Sequence, residues 1–267
     1  ISGFTGSYGF ALVLKEKNYL FVDGRYTLQA KNQSGKSFKI ITIPDKMPSD
    51  ILKGKELSIG FDPNLFTERS LFIFFGKNKF KLKPISHNLI DVIWKRRIKK
   101  NNNKFYLLPN KAISENYRLK IGKISKYLKK KKSDFLFVTA SENNAWLLNI
   151  RGRDTKYTPI PYSYILIDKN RNILFFCDQR KLSTKFKKHF TKIKFIDIKF
   201  TNKVLSKIVN KNFIIDRNTC SFFFEDLGDL EVIKVSLAKK MHEKHPARIK
   251  YEQELMKRLI PSTSALS

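Results

Sequence analysis

The sequence is short of the residues that build metal and redox sites, with two cysteines and four histidines in 267 residues. Cys177 and Cys220 lie inside apolar runs, which excludes a disulfide framework and marks both as small core residues of a reducing, cytoplasmic protein. His87 and His189 stand apart. The pair His242 and His245 is spaced three residues apart rather than in the H-E-x-x-H zinc pattern, and Pro246 interrupts the helix that would carry it, so no metal function is expected there. A glycine-rich phosphate loop, a nucleophile elbow and a cysteine cluster are all absent, which removes the nucleotide, serine-hydrolase and zinc-ribbon readings. No apolar run reaches the ~18 residues of a spanning helix and no signal peptide opens the chain, so a soluble protein without a membrane partner is expected. The chain begins on the turn motif Ile1-Ser2-Gly3-Phe4-Thr5-Gly6 without an initiating methionine, which leads us to expect polypeptide ahead of it.

Acidic residues are also scarce. Against 23 Asp and Glu stand 54 Lys and Arg, a formal charge of +31. Such an excess invites nucleic acid, because neutralising phosphates releases counterions. Lysine, however, rises together with Asn, Ile and Phe and is scattered through every segment, the signature of coding bias, so no specific nucleic-acid partner is expected. The densest basic run, Lys95 to Lys104, reads as a solvated linker, with a phosphate-binding patch as the alternative. Apolar residues make up 42% of the chain, enough for two cores.

Local patterns predict an α/β protein. β-formers at Phe10 to Leu14 and Tyr19 to Val22 flank the turn Lys15 to Asn18 and form a hairpin. A short helix over Tyr26 to Asn32 and a strand over Phe38 to Ile43, closed by Pro44, follow. Ser49 is placed as the cap of a helix, a strand is expected at Leu57 to Gly60, and a helix at Thr67 to Phe75. The second half predicts a helix over Ser114 to Lys129, a strand over Phe135 to Thr139, a helix capped by Ser141, and a strand over Ser163 to Asp168.

The two halves repeat one plan. Phe10 to Arg25 parallels Tyr164 to Arg180, and the D-x-R triplets at Asp23 and Asp178 lie 155 positions apart (178 minus 23). Ile59 to Asn64 parallels Phe213 to Asn218, with Asp62 and Asp216 offset by 154 (216 minus 62). Two nearly equal offsets identify a duplicated α/β domain, each copy a mixed sheet flanked by helices. Aligning Asn149 with Ser2 implies that roughly 40 residues of the first copy precede Ile1. The expected domains are 1–100, 101–234 and a helical tail, 235–267.

The chain is organised around Asn144 to Tyr164. The apolar run Trp146-Leu147-Leu148 ends a helix at Asn149, and Gly152 is expected to supply the left-handed turn. A loop with Arg151, Arg153 and Asp154 follows, stiffened by Pro159 and Pro161. The run W-L-L-N-I-R-G-R-D, with the ordered pieces G-F-T-G-S, V-D-G-R-Y-T-L-Q-A, G-F-D-P and N-L-I-D-V-I-W, resembles the N-terminal domains of Xaa-Pro aminopeptidases, over residues 1 to about 225.

That resemblance implies two tandem creatinase-N-terminal-like domains with ribonuclease H-like layering. It implies a parent that releases the N-terminal residue before proline, with two divalent metals, manganese in most of the family, held by a "pita-bread" domain beyond this stretch. It also implies a proline-containing peptide substrate, a homodimer, and a non-catalytic role here in gating the cleft, with a stand-alone peptidase-like binding module without catalysis as the alternative. Among matched positions Arg25 is the candidate to face substrate, with locking of its own turn as the alternative. Gly3, Gly6, Gly24 and Gly152 are read as backbone requirements, and Asp23, Tyr26, Asp62, Asp91, Asn149, Arg151 and Asp154 as structural, Arg151 clamping backbone carbonyls or Asp154. Trp94 and Trp146 are read as core residues.

Overall fold

A computed structural model describes residues 1–76, 81–94, 101–227 and the backbone of 231–235. Its chain divides into two compact units, residues 1–100 with 220–227, and residues 101–219 with 228–267. The Lys95–Lys100 part of the basic run, the His242/His245 pair and the tail from 236 lie outside the described residues.

In the first unit, β1 (Gly9–Val13) and β2 (Asn18–Asp23) form the antiparallel hairpin. After a 3-10 turn come α1 (Thr27–Ser34) and β3 (Lys39–Ile43), which lies parallel to β2. Next are α2 (Pro48–Ile51), β4 (Ser58–Phe61), α3 (Glu68–Phe75), β5 (Lys81–Pro84) and α4 (Leu89–Ile93). Two cores flank this unit's strands. One joins Leu12, Phe21 and Ile41 to Phe61, Leu71, Phe74 and Phe75; the other sets Leu20, Val22 and Phe38 against Ala30 of α1. Thr67 caps α3 by accepting from Ser70 N at 3.0 Å, and Ser70 Oγ accepts from Thr67 N at 2.9 Å. Ser49 is not a cap. It lies within α2, whose entry is fixed by Asp50 accepting from Met47 N at 2.8 Å, because Pro48 takes the first helical position.

The second unit opens with β6 (Tyr106–Leu107), α5 (Tyr117–Lys130), β7 (Phe135–Val138), α6 (Ser141–Leu148) and β8 (Ile150–Arg151). It continues through β9 (Ser163–Asp168), β10 (Ile173–Cys177), α7 (Thr184–His189), β11 (Ile193–Asp197), α8 (Thr201–Leu205) and β12 (Asn212–Asp216). Then α9 (Phe222–Glu225) belongs to the first unit, and β13 (Glu231–Val235) returns to pair with β12. The sheet order is β11-β10-β9-β7-β12-β13, with β9 antiparallel to both its neighbours. Apolar residues of α5, spaced as Tyr117, Ile121, Ile124 and Leu128, cover one face together with Leu147, Leu148 and Phe186. Ser141 begins α6 without capping it, Ala140 standing at the cap position.

The duplication is visible strand for strand. The antiparallel pair β1-β2 corresponds to β9-β10, the parallel pair β2-β3 to β10-β11, and the parallel pair β4-β5 to β12-β13. The copies differ in how the two halves of the sheet are joined. In the second unit β7 joins β9 to β12, whereas among the described residues of the first unit β1-β2-β3 and β4-β5 form separate sheets. The same register positions therefore meet opposite environments: Ile167 of β9 is 0% exposed, and its counterpart Val13 of β1 is 61% exposed. Ile167→Ala is expected to cost about 2–5 kcal/mol through lost burial and a residual cavity, and Val13→Ala less than about 0.5 kcal/mol. Urea unfolding of the two variants measures the contrast.

Candidate functional site

The most densely bonded polar region is the loop after α6. Its first residue, Asn149, takes the left-handed conformation at φ 55°. Asparagine tolerates that geometry best among residues with a side chain, so the expected role of Gly152 as the left-handed residue is corrected. Gly152 is needed for another reason. A Cβ there would lie 2.7 Å from Pro161 Cα, 2.9 Å from Pro161 N and 3.0 Å from Ile160 O, so the two arms of the loop touch through backbone. Gly152 N donates to Pro159 O at 3.2 Å and Asp154 N to Ile160 O at 3.3 Å.

Two buried lysines lock this loop. Lys120, on the apolar face of α5, donates to Trp146 O at 2.5 Å and to Asn149 Oδ1 at 2.6 Å, and its ammonium stands 4.1 Å from the Trp146 ring centre. Asn149 Nδ2 in turn donates to Glu115 O at 2.9 Å. Burial pushes the Lys120 ammonium down to about 8, against the opposing pull of the Glu115 carboxylate. Lys181 pairs with Asp154, both largely buried, and the other Asp154 oxygen accepts from Tyr162 N at 2.6 Å. Arg151 Nη1 donates to Ile150 O at 2.8 Å and Ala145 O at 3.4 Å. Of its two expected partners it therefore meets the carbonyls, while Asp154 goes to Lys181. Beneath, buried Asn144 donates to Ser163 O at 2.7 Å. Sequence reasoning named neither lysine. Lys120 left a trace, a basic residue in the apolar stripe of α5; Lys181, next to the D-x-R triplet, left none.

The two D-x-R triplets form the same turn. Asp23 accepts from Arg25 N at 3.0 Å and Arg25 Nε at 2.8 Å; Asp178 accepts from Arg180 N at 3.0 Å and Arg180 Nε at 3.0 Å. Hydrogen bonds from Arg25 hold the Asp23 carboxyl below its ordinary value. Arg25 itself is 76% exposed, and the centre of its guanidinium lies 5.6 Å from the Tyr26 ring centre. The Tyr26 hydroxyl and Ser7 Oγ are 2.6 Å apart. The second repeated turn also matches: Asp62 accepts from Asn64 N at 2.8 Å and Asp216 from Asn218 N at 2.9 Å. Asp62 additionally accepts from Asn88, which caps α4.

The remaining sequence candidates are dispersed. Gly3 has φ 71°, a Cβ on Gly6 would strike the Phe4 ring, and Gly24 has room for a side chain. Trp146 is half-buried against the second core, but Trp94 is 52% exposed at the end of α4, beside Leu89, Val92 and Ile93, which are also exposed, so its reading as a core residue is corrected. Asp91 is exposed on the same helix.

Residues 1–88 and 96–247 each match the model of the creatinase/prolidase N-terminal domain. The chain belongs to that family. Among its relatives is a probable Xaa-Pro aminopeptidase P of Laccaria bicolor, 36% identical over 186 residues, covering 66% of this chain and 29% of the relative. The Xaa-Pro aminopeptidase app-1 of Caenorhabditis elegans is 34% identical over 209 residues, covering 72% and 33%. The solved X-prolyl aminopeptidase of C. elegans, described as a cytosolic enzyme with a di-nuclear active site, aligns with TM-score 0.81 at 27% identity over 88% of this chain and 41% of its own. The chain thus spans about a third of the length of its curated relatives. Among the described residues no group of three or more His, Cys, Asp or Glu could hold a metal ion, so a di-nuclear centre does not fit them.

Gly152→Ala is expected to destabilise the second unit by about 1–3 kcal/mol, since backbone atoms of Pro161 must move; urea unfolding measures it. Lys120 binds its proton less tightly folded than unfolded. Its contribution is present in full above the unfolded value near 10.5 and is lost as pH falls through about 8. Stability should rise across that window by up to about 1.4 kcal/mol per pH unit, and the rise should vanish in Lys120→Met.

Proposed function

We propose that this chain is the non-catalytic, substrate-side portion of an Xaa-Pro aminopeptidase that works in the cytosol. The observation that carries the reading is the alignment of both units, in order, with 41% of the C. elegans enzyme. The parent reaction is hydrolytic release of the residue before proline, with two divalent metals, manganese foremost, supplied by polypeptide outside residues 1–267. The two N-terminal units narrow the cleft to peptide-sized substrates and take part in a homodimer. Arg25 is the residue we assign to substrate. Asp23 orients it through Nε and Nη2, and those bonds leave Nη1 to reach a peptide carbonyl or carboxylate. Arg180 makes the same turn and serves as its internal control.

The test is a chimera in which residues 1–226 replace the matching part of the C. elegans enzyme. Arg25→Ala is expected to raise KM for Xaa-Pro peptides by about tenfold with kcat within about twofold, and Arg180→Ala to change neither. Equal effects of both substitutions would assign Arg25 to its turn alone. Release of amino acids from Xaa-Pro peptides by residues 1–267 without the chimera partner would overturn the non-catalytic reading.

A further inference from the structure

Lysines scattered along the sequence converge in space at one end of the second unit. Pairing in register sets Phe135, Asp168, Ile173, Ile193 and Phe213 side by side, so the turns leading into β7, β10, β11 and β12 all lie at that end of the sheet. The first turn carries Lys129 to Lys132, the second Lys169 and Arg171, the third Lys192 and the fourth Lys211, and every one of these cations is exposed. Backbone bonds tie three of the turns together: Asp134 N donates to Asn212 O at 2.9 Å and Lys169 N to Asp134 O at 3.0 Å. The acids at this end are already engaged or at its edge. Asp134 accepts from Lys169 Nζ at 2.8 Å and Asn212 N at 3.2 Å, Asp168 accepts from Asn170 N and Asn172 N of its own turn at 2.8 Å, and Glu231 stands in register beside Asn212. Among the described residues only Lys169 of these cations has an ion pair. At the opposite end of the sheet Asp178, Asp197 and Asp216 are interleaved with cations instead.

Backbone conformation marks the same turns. Among the described residues four non-glycine residues have positive φ, and three of them, Lys132 at 53°, Arg171 at 72° and Asn210 at 55°, lie here. Lys132 takes the position after α5 that favours glycine, with Lys132 N donating to Lys129 O at 3.1 Å and Ser133 N to Leu128 O at 3.0 Å. Asparagine meets that geometry at Asn149 and Asn210. A coding bias towards lysine and asparagine alike therefore does not by itself put cations at the other two positions.

We propose that this end of the second unit docks on the anionic surface of a lipid bilayer. The reading goes beyond the peptidase assignment and does not rest on it. Charge complementarity carries it: cations on long side chains, presented by four turn tips at one end, match a surface whose negative charge is spread over many headgroups. All but Arg171 are lysines, point charges without the planar fork that fixes one ordered phosphate. Val209, 63% exposed beside Asn210, adds an apolar side chain that can enter the headgroup layer. None of these turns exposes an aromatic ring on which a nucleic-acid base could stack. No helix among the described residues is long and apolar enough to cross a membrane, and docking by turn tips needs none.

The test is co-sedimentation of the full chain with vesicles of phosphatidylcholine alone or mixed with phosphatidylserine, at physiological salt. Partition onto the anionic vesicles is expected to exceed that onto neutral ones by about tenfold or more and to fall as salt rises. Reversing one cation from each of three turns, Lys130→Glu, Arg171→Glu and Lys211→Glu together, should lower that partition by about tenfold. The same charge change on exposed lysines of the first unit, Lys17→Glu, Lys31→Glu and Lys53→Glu, should change it by less than about twofold if the patch and not the net charge is responsible. Should the reversed chain fail to fold by circular dichroism, glutamine at the same two sets of positions reads the same contrast at about threefold. Val209→Ser should also weaken vesicle binding, a change that a phosphate backbone would not register. Equal losses in the patch and control variants would overturn the proposal, as would equal binding to neutral and anionic vesicles. So would a patch variant that loses affinity for a short RNA duplex while its vesicle binding is unchanged, which would assign the cations to nucleic acid.

Discussion

The pairing of β7 with β9 on one side and β12 on the other is the constraint on which the better-formed half of the molecule depends. A strand in that position satisfies two ladders at once, and it unites the antiparallel hairpin half of the sheet with its parallel half. Because both faces of a central strand are covered, its neighbours can carry continuous apolar runs. Leu166 and Ile167, and Phe213 to Ile215, are buried on both faces. Between β1 and β4, where no strand among the described residues bridges the two halves, apolar positions such as Val13 face solvent.

The loop after α6 depends on that sheet. Asn144 fixes it to the start of β9, Lys120 fixes its left-handed first residue to α5, and Lys181 fixes Asp154 to the turn after β10. A buried charge is tolerated only with partners, and removing one partner of such a pair costs about 3–5 kcal/mol. The Arg, Gly and Asp of this motif therefore serve to position backbone.

Much of this was legible in the residues, for physical reasons that also explain the rest. The hairpins and the D-x-R and D-x-N turns are local: hydrophobic alternation and short Asp side chains bonding two residues ahead set them without tertiary help. Hence the offsets of 155 and 154 revealed the repeat. What escaped reading was non-local. Gly152 follows a helix end, the usual place for a left-handed glycine, yet Asn149 takes that conformation and Gly152 is required by Pro161, nine positions away. Lys120 and Lys181 acquire meaning only from partners 26 to 29 positions distant. Trp94 reads as a core residue by its chemistry, and its exposure on α4 could not be seen in its neighbours, which are just as apolar.

The account reduces to one claim: the chain folds a single α/β unit twice, and among the described residues a strand bridges the two halves of the sheet in the second copy only. Native-state amide exchange across β1, β4, β9 and β12 of the unmodified chain tests this most directly. The account expects β9 and β12 to exchange only through global unfolding of their unit, and β1 and β4 through local openings of markedly lower free energy. Equal protection of the four strands would contradict it.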